Sequence, residues 1–339
     1  MGLSSLFRFR KVANEAILEL LESVTLGTNG AHYKHQDTSK RIGLIDNPLF
    51  LTIERNEKVI ANVTFCVRNQ DWYVRYFAFN TGLQSSGKKK SNGSSLIKNE
   101  LNGFFQSTLL DGFEGEKVNS FYAYIDPNNE KSLWMSENFG FQYYRTIATQ
   151  SFSRISPKVK RGVRLIDFNN DFKSKIRSEF ESLPYYFENR NEKFYGLYDN
   201  NGNLRAYARI DQVNWKIERL PGRLGGFLTK MIPFIPGVNR IIRPKNHQFI
   251  VVDNVWVEKH DVGVFSDLLE GILAIENKNL ILWWVDSENK QYRQIKGRVK
   301  WGLLHNLIGV TNANLMRLTL SGRKDLDAAE TYVAAEDFV

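Results

Sequence analysis

The sequence predicts an α+β protein of two similar domains, each a mixed, mostly antiparallel sheet flanked by helices. Short runs of β-type residues predominate, and amphipathic helical stretches interrupt them. The succession of elements in residues 1–155 recurs in residues 156–322. A chain of 339 residues is long for one core and natural for two.

The first half opens with a helical pattern over about 12–24, where Val12, Ala16, Ile17, Leu20 and Leu21 recur at helical spacing. PLFLTIER and KVIANVTFCV read as strands joined at Asn56-Glu57, and WYVRYFAF as a third. After a basic loop, Leu96, Ile97, Leu101, Phe104, Phe105 and Leu109 share one helical face. SFYAYID follows as a strand, EKSLWMSENF as a short helix, and FQYYRTIATQSFSRI as a strand pair. In the second half KFYGLYDNNGNLRAYARI is a strand–turn–strand unit with its turn at Asn200-Asn201-Gly202. QFIVVDNVWV, GVFSDLLEGILAIE, LILWWVD and KWGLLHNLIGVTNANLMRLTL then repeat the order of the first half. Residues 323–339 form an acidic tail that is expected to fray.

Composition narrows the function. A net charge of +9 favours an anionic partner: nucleic acid, a membrane surface or a phosphate-bearing cofactor. The single cysteine, Cys66, excludes an internal disulfide and a cysteine-rich zinc site, and its alternating context predicts a buried thiol. The five histidines are scattered, so no metal site is expected. No apolar run reaches the roughly 18 residues that span a bilayer. Arg8, Arg10 and Lys11 break the N-terminal stretch, so no signal peptide is expected. The expected location is cytoplasmic, with a peripheral membrane association open. Basic residues and aromatics form no recognisable nucleic-acid motif, so nucleic acid is not the expected partner.

Gly87–Glu100, GKKKSNGSSLIKNE, joins a strand to a helix. It can be a solvated linker, or a loop that presents Lys88, Lys89, Lys90 and backbone N–H groups to phosphates at a helix N-terminus. Gly93 would let that backbone approach an anion with no Cβ in the way.

Two motifs in order resemble the GNAT superfamily of acyl-CoA-dependent N-acyltransferases, in a tandem two-domain form. Lys90-Ser91-Asn92-Gly93-Ser94-Ser95 stands where the family has Gln/Arg-x-x-Gly-x-Gly/Ala. Asn129-x-x-Ser132-x-x-Met135-Ser136-x-x-x-Gly140-Phe141 keeps the spacing and ends of the second family signature. The resemblance implies acetyl-CoA or another acyl-CoA as co-substrate, held by Lys90, Asn92, Gly93, Ser94, Ser95 and Asn129 in the first domain. It implies a backbone donor to the thioester carbonyl within Phe77, Ala78 and Phe79. The family's thiolate-protonating tyrosine is absent, because Ser136 occupies its place; Ser136 becomes the candidate proton relay and Asp253 a candidate base. In the second domain His260-x-x-Gly263-x-Phe265 occupies the phosphate-loop slot, and Phe265 is expected to crowd a pyrophosphate, making this the degenerate copy.

The segment 219–245 is basic and apolar, with Pro221, Pro233, Pro236 and Pro244 but no acid. It suits a lid, an element on anionic lipid, or a loop packed on its own domain. The leading expectation is transfer of an acetyl or longer acyl group to an amine on a small molecule, lipid or peptide. A non-catalytic binding protein with a degenerate fold, and a membrane-associated lipid-amine acyltransferase, stay open beside it.

Overall fold

The computed structural model describes residues 7–27, 30–55, 58–79, 92–188, 193–320 and 329–338. The chain forms two compact units that interleave in sequence. Met1–Leu26, Asp37–Tyr144 and Asn314–Leu326 build the first; Gly27–Gln36, Arg145–Ala313 and Asp327–Val339 build the second.

The first unit begins with β1 (Phe7–Arg10) and α1 (Glu15–Ser23). Asn14 caps α1 by accepting from the Ile17 N–H at 3.0 Å, which satisfies one of the donors a helix start leaves over. Ile17, Leu20 and Leu21 are its buried face. β2 (His32–His35) leaves for the second unit, and α2 (Thr38–Leu44) returns to the first. β3 (Pro48–Arg55), β4 (Lys58–Arg68) and β5 (Asp71–Phe79) form an antiparallel meander, with Asn56-Glu57 outside the described residues. α3 (Asn92–Asp111) leads to β6 (Ser120–Ile125), which pairs parallel to β5. One face of these strands, through Leu51, Val63, Phe65 and Phe121, packs with Leu101, Phe104, Phe105 and Leu109 of α3. The period-2 and helical patterns thus meet in one aromatic-rich core. Cys66 is buried, as its alternating context predicts.

α4 (Glu130–Asn138) precedes β7 (Gln142–Ser153). The expected strand pair is in fact this single long strand. Its second part belongs to the second unit, where it runs antiparallel to β12 (Leu280–Asp286). Reciprocally, β13 (Thr311–Thr319), from the far end of the chain, completes the first unit by pairing antiparallel with β6 from Ser120 to Ile125. Each unit therefore takes its closing strand from the other half of the sequence.

The rest of the second unit comprises β8 (Val163–Leu165), α5 (Asn170–Phe180), β9 (Phe194–Tyr198), β10 (Leu204–Arg219), α6 (Gly225–Met231), α7 (Val238–Ile241), β11 (His247–Val257) and α8 (Val262–Ile275). Between β12 and β13 lie α9 (Lys290–Ile295) and α10 (Leu303–Ile308). The predicted turn at Asn200–Gly202 joins β9 to β10, with Asp199 Oδ1 accepting from the N–H groups of Asn201 and Asn203. β11 and β12 pair parallel, as β5 and β6 do, and the other neighbours are antiparallel. Phe265, Leu268, Leu269 and Ile272 of α8 are fully buried in the core of this sheet. At about 1.5–3 kcal/mol for each such side chain, α8 is the main hydrophobic cover here. Gly271 permits the closest approach: a Cβ there would lie 2.7 Å from a methyl of Val163.

β2 attaches to β10 through Trp215↔His35 to Arg219↔His32. Tyr33 stacks on Trp215 at 3.9 Å, Trp215 meets Phe249 edge-on, and His247 lies 5.1 Å from Phe249. Burial, with Arg243 adding to it, lowers the His247 pKa from 6.5 to about 4. The folded protein therefore binds fewer protons than the unfolded chain between those values, so stability must fall as pH drops through that window. We expect urea unfolding to show a loss of about 3 kcal/mol attributable to this group. The neutral variant His247→Gln should flatten the pH dependence by that amount; an unchanged slope would mean that His247 is protonated in the fold.

Candidate functional site

Adjacent parallel strands normally stay paired along their length. In the first unit the β5–β6 ladder covers only Asp71↔Ser120, Trp72↔Phe121 and Tyr73↔Tyr122. Two residues later β5 carries an extra residue: opposite β4, Phe65 pairs with Val74 but Thr64 pairs with Tyr76, so Arg75 is bulged. A bulge bends its strand and increases the local twist, which turns β5 away from β6. Beyond the last pair, Val74–Phe79 of β5 and Ala123–Ile125 of β6 no longer pair with one another, and this divergence is the opening between them. Alternate peptide groups of this stretch of β5 point to that side. Phe77 lies 6.2 Å from Phe139, and Ala78 is buried. Opposite Ala78 on β4, the buried Asn62 donates to Thr64 Oγ1 at 2.7 Å, while its Oδ1 has no hydrogen-bond partner among the described residues.

The helix after β5 is α3, which begins at Asn92 and has no acidic side chain in its first turn. Its N-terminus carries the partial positive charge of the helix dipole, with Gly93, Ser94 and Ser95 in the first turn. Lys88, Lys89 and Lys90 lie outside the described residues.

The second motif lies on the turn after β6 and on α4. Asp126 follows β6 and holds the turn by accepting from Asn128 N–H at 2.8 Å. The Asn129 side chain caps α4 by accepting from Ser132 N–H at 3.1 Å. Ser136 is buried on α4, and its hydroxyl donates to the Leu133 carbonyl at 2.8 Å. Gly140 has φ +87°, the left-handed conformation that ends the helix and sends Phe141 into the core. Asn129, Gly140 and Phe141 thus do structural work that their spacing requires.

The second unit repeats the opening and fills it. β11 and β12 pair parallel only over Ile250↔Ile281 to Val252↔Trp283. Two residues after the last pair, Asn254 is bulged with φ +45°, the same offset as Arg75 in the first unit. Here residues 331–335 of the same chain enter. Tyr332, Val333, Ala334 and Ala335 are buried, contrary to the expected fraying, and residues 335–338 form a 3₁₀ turn. Ala335 N–H donates to Asp253 Oδ2 at 2.7 Å, and Tyr332 Oη to Asn254 Oδ1 at 2.8 Å. The Thr331 N–H and hydroxyl donate to Asp286 Oδ2 at 2.9 and 3.1 Å.

Asp253, a candidate base from the sequence, is committed elsewhere. It is buried to 2% exposure and receives both Nε and Nη2 of the equally buried Arg209, the Nε contact at 2.6 Å. Burial alone would lower the Arg209 pKa, but the paired carboxylate overrides it and holds the guanidinium above its ordinary range. Together with the Ala335 contact, this makes Asp253 a structural ion pair. Asp253 belongs to the second unit and Ser136 to the first.

At the start of α8, where the sequence is expected to hold a degenerate phosphate loop, the helix N–H groups are taken by a residue other than the one expected to interfere. Phe265 does not crowd the loop, because its ring lies wholly inside the core. The obstacle is Asp261, whose carboxylate accepts from Gly263 N–H at 2.7 Å and Val264 N–H at 3.1 Å at the start of α8. An internal anion already satisfies the donors that a phosphate would use.

No protein-family model and no curated sequence matches the chain. Solved structures do match in fold. N-myristoyltransferase of Saccharomyces cerevisiae with bound myristoyl-CoA aligns at 10% identity and a TM-score of 0.53, over 94% of this chain and 80% of that one. A GCN5-related N-acetyltransferase from Sphaerobacter thermophilus aligns at 14% identity and 0.50, over 97% and 100%. A tandem GNAT protein from the clavulanic acid biosynthesis pathway aligns at 11% identity and 0.50, over 94% and 100%.

The ion pair gives a direct test of the filled opening. Asp253→Ala leaves Arg209 charged, buried and unpaired, and should destabilise the second unit by about 3–5 kcal/mol. Replacing both partners, Arg209→Met with Asp253→Leu, should recover much of that loss in chemical denaturation. Equal damage from the single and double changes would show that the pairing itself contributes little.

Proposed function

Because the chain has the fold of the GNAT N-acyltransferases in tandem, we propose that its first unit binds an acyl-CoA and transfers the acyl group to an amine. The observation that carries the reading is the asymmetry between the two openings. Each unit has a parallel strand pair that parts after three residues beside a bulge. In the second, the C-terminal segment and Asp261 take up the hydrogen-bonding groups of the opening and of the helix start. At the first helix start, neither residues 80–91 nor the first turn of α3 include an Asp or Glu that could play the part of Asp261.

In this reading the CoA pyrophosphate rests on the N-terminus of α3, with Gly93 allowing backbone contact and Lys90, Asn92, Ser94 and Ser95 adding donors. The thioester lies between β5 and β6, and a backbone N–H within Phe77–Phe79 polarises its carbonyl. The deprotonated amine attacks that carbon; a C–N bond forms, the C–S bond breaks, and the CoA thiolate leaves to take up a proton. The Asn62 Oδ1, a buried acceptor on the neighbouring strand, is suited to accept from the attacking N–H. Acetyl-CoA and longer acyl-CoAs both fit this scheme, as do small-molecule, lipid and peptide amines.

One observation favours a second reading, binding without transfer. The Ser136 hydroxyl, where the family has its proton-donating tyrosine, already donates to Leu133 O. The two readings differ in whether CoA is released when amines are supplied.

Calorimetry with acetyl-CoA and myristoyl-CoA tests the shared part. We expect one equivalent bound per chain, and Gly93→Trp to weaken it at least about a hundredfold by denying the backbone to the pyrophosphate. Two equivalents per chain would refute the assignment of the second unit as closed. Unaltered binding by Gly93→Trp would refute the site at α3.

A further inference from the structure

The segment between β10 and β11 is folded with its apolar side outward. Leu224, Phe227, Leu228 and Met231 recur at i, i+3, i+4 and i+7, the spacing that normally marks the buried stripe of a helix. Here every one of them is exposed, Leu224 to 67% and Phe227 to 61%. The stripe continues past the helix into Phe234, exposed to 78%, and Ile235. The inward side of α6 is instead small and polar. Gly225 sits so close to the backbone that a Cβ would come within 1.7 Å of Leu220 O. Thr229 Oγ1 donates to Gly225 O at 2.7 Å and accepts from Leu220 N–H at 3.0 Å. Ile232 and Ile241 are the buried anchors.

The inverted stripe is thus held in place by its own backbone contacts rather than left over from poor packing. Its two non-ionic polar side chains are both occupied within the segment, Thr229 as described and Asn239 by donating to Pro233 O at 3.2 Å. All its charges have one sign: Arg219, Arg223, Lys230, Arg240, Arg243 and Lys245, with no acid among residues 219–245. The adjoining stretch extends the pattern. Ser156 accepts from Arg240 at 3.2 Å, and beside it Ile155, Lys158, Val159 and Arg161 are exposed.

We infer that this face of the second unit is a membrane-binding surface, which inserts Leu224, Phe227 and Phe234 into the interface of an anionic bilayer while the surrounding lysines and arginines neutralise lipid headgroups. Large apolar side chains at the exposed crest with cations around them is the arrangement that such interfaces reward. It also separates a bilayer from a nucleic acid. A nucleic-acid surface would expose hydrogen-bonding side chains and stacking rings on a basic groove, whereas here aliphatic and phenyl groups form the crest and the amide and hydroxyl are hydrogen-bonded within the segment. The inference stands apart from the acyltransferase reading and survives its failure.

The test is flotation of the full chain with vesicles of phosphatidylcholine alone and of phosphatidylcholine mixed with phosphatidylglycerol. The wild type should float with the mixed vesicles and stay behind with the neutral ones. Phe227→Ser with Phe234→Ser should weaken the association at least about tenfold, since each removes an exposed phenyl from the inserting crest. Arg223→Glu with Lys230→Glu should do the same through charge. All four positions are exposed, so circular dichroism and thermal unfolding should match the wild type. Failure of the wild type to float overturns the proposal. So does flotation unaffected by the two serines, which would reduce the surface to electrostatic adsorption, and so does retention by DNA without flotation.

Discussion

The organisation of both units depends on one geometric event, the early end of a parallel ladder. Parallel strands joined by a crossover helix tend to remain in register and bury one another's edges. Here a single extra residue, Arg75 in β5 and Asn254 in β11, sits two positions past the last parallel pair and turns the strand aside. Everything that gives the chain a chemical interior follows from that divergence. The strand peptides that no longer pair there need other partners with matching donors and acceptors.

The two units meet that requirement differently. The second fills its gap from within, by a C-terminal segment whose N–H groups and tyrosine address Asp253, Asn254 and Asp286. Its buried arginine–aspartate pair is supported by one further hydrogen bond, from the Ala335 N–H to the carboxylate. In the first unit the same strand plan leads to a helix with no acidic residue in its first turn, and to a buried amide oxygen on Asn62. The same strand plan is thus closed from within in the second unit and left with the buried Asn62 acceptor in the first.

Much of this was legible in the sequence. Period-2 runs located β3, β4, β5, β6, β11 and β12, and the α3 stripe through Phe104 and Phe105 located the helix that covers them. The spacing from Asn129 to Phe141 encoded a cap, a helix and a left-handed glycine. What escaped depends on partners distant in the chain. Nothing local in TYVAAEDF says that it is buried, because its acidic neighbours dominate the composition. Arg209 and Asp253 lie on different strands, and only the register of β10 against β11 joins them. Asp261 was overlooked beside the bulkier Phe265, although a side-chain oxygen two and three residues before unpaired N–H groups is the ordinary cap signal. The exchange of β7 and β13 has no local signature at all, since a strand's pattern fixes its faces but not its neighbour.

That exchange bears on how the molecule comes into being. β6 acquires its β13 partner only after residue 311 has been made, and the second unit recruits β2 from among the earliest residues. During synthesis, β6 must wait for β13 before this edge of its sheet is paired. Such edges invite pairing with other chains, and contacts this distant in sequence form slowly. Neither half of the sequence can be cut out and expected to mature alone, because each unit's sheet needs a strand from the other half.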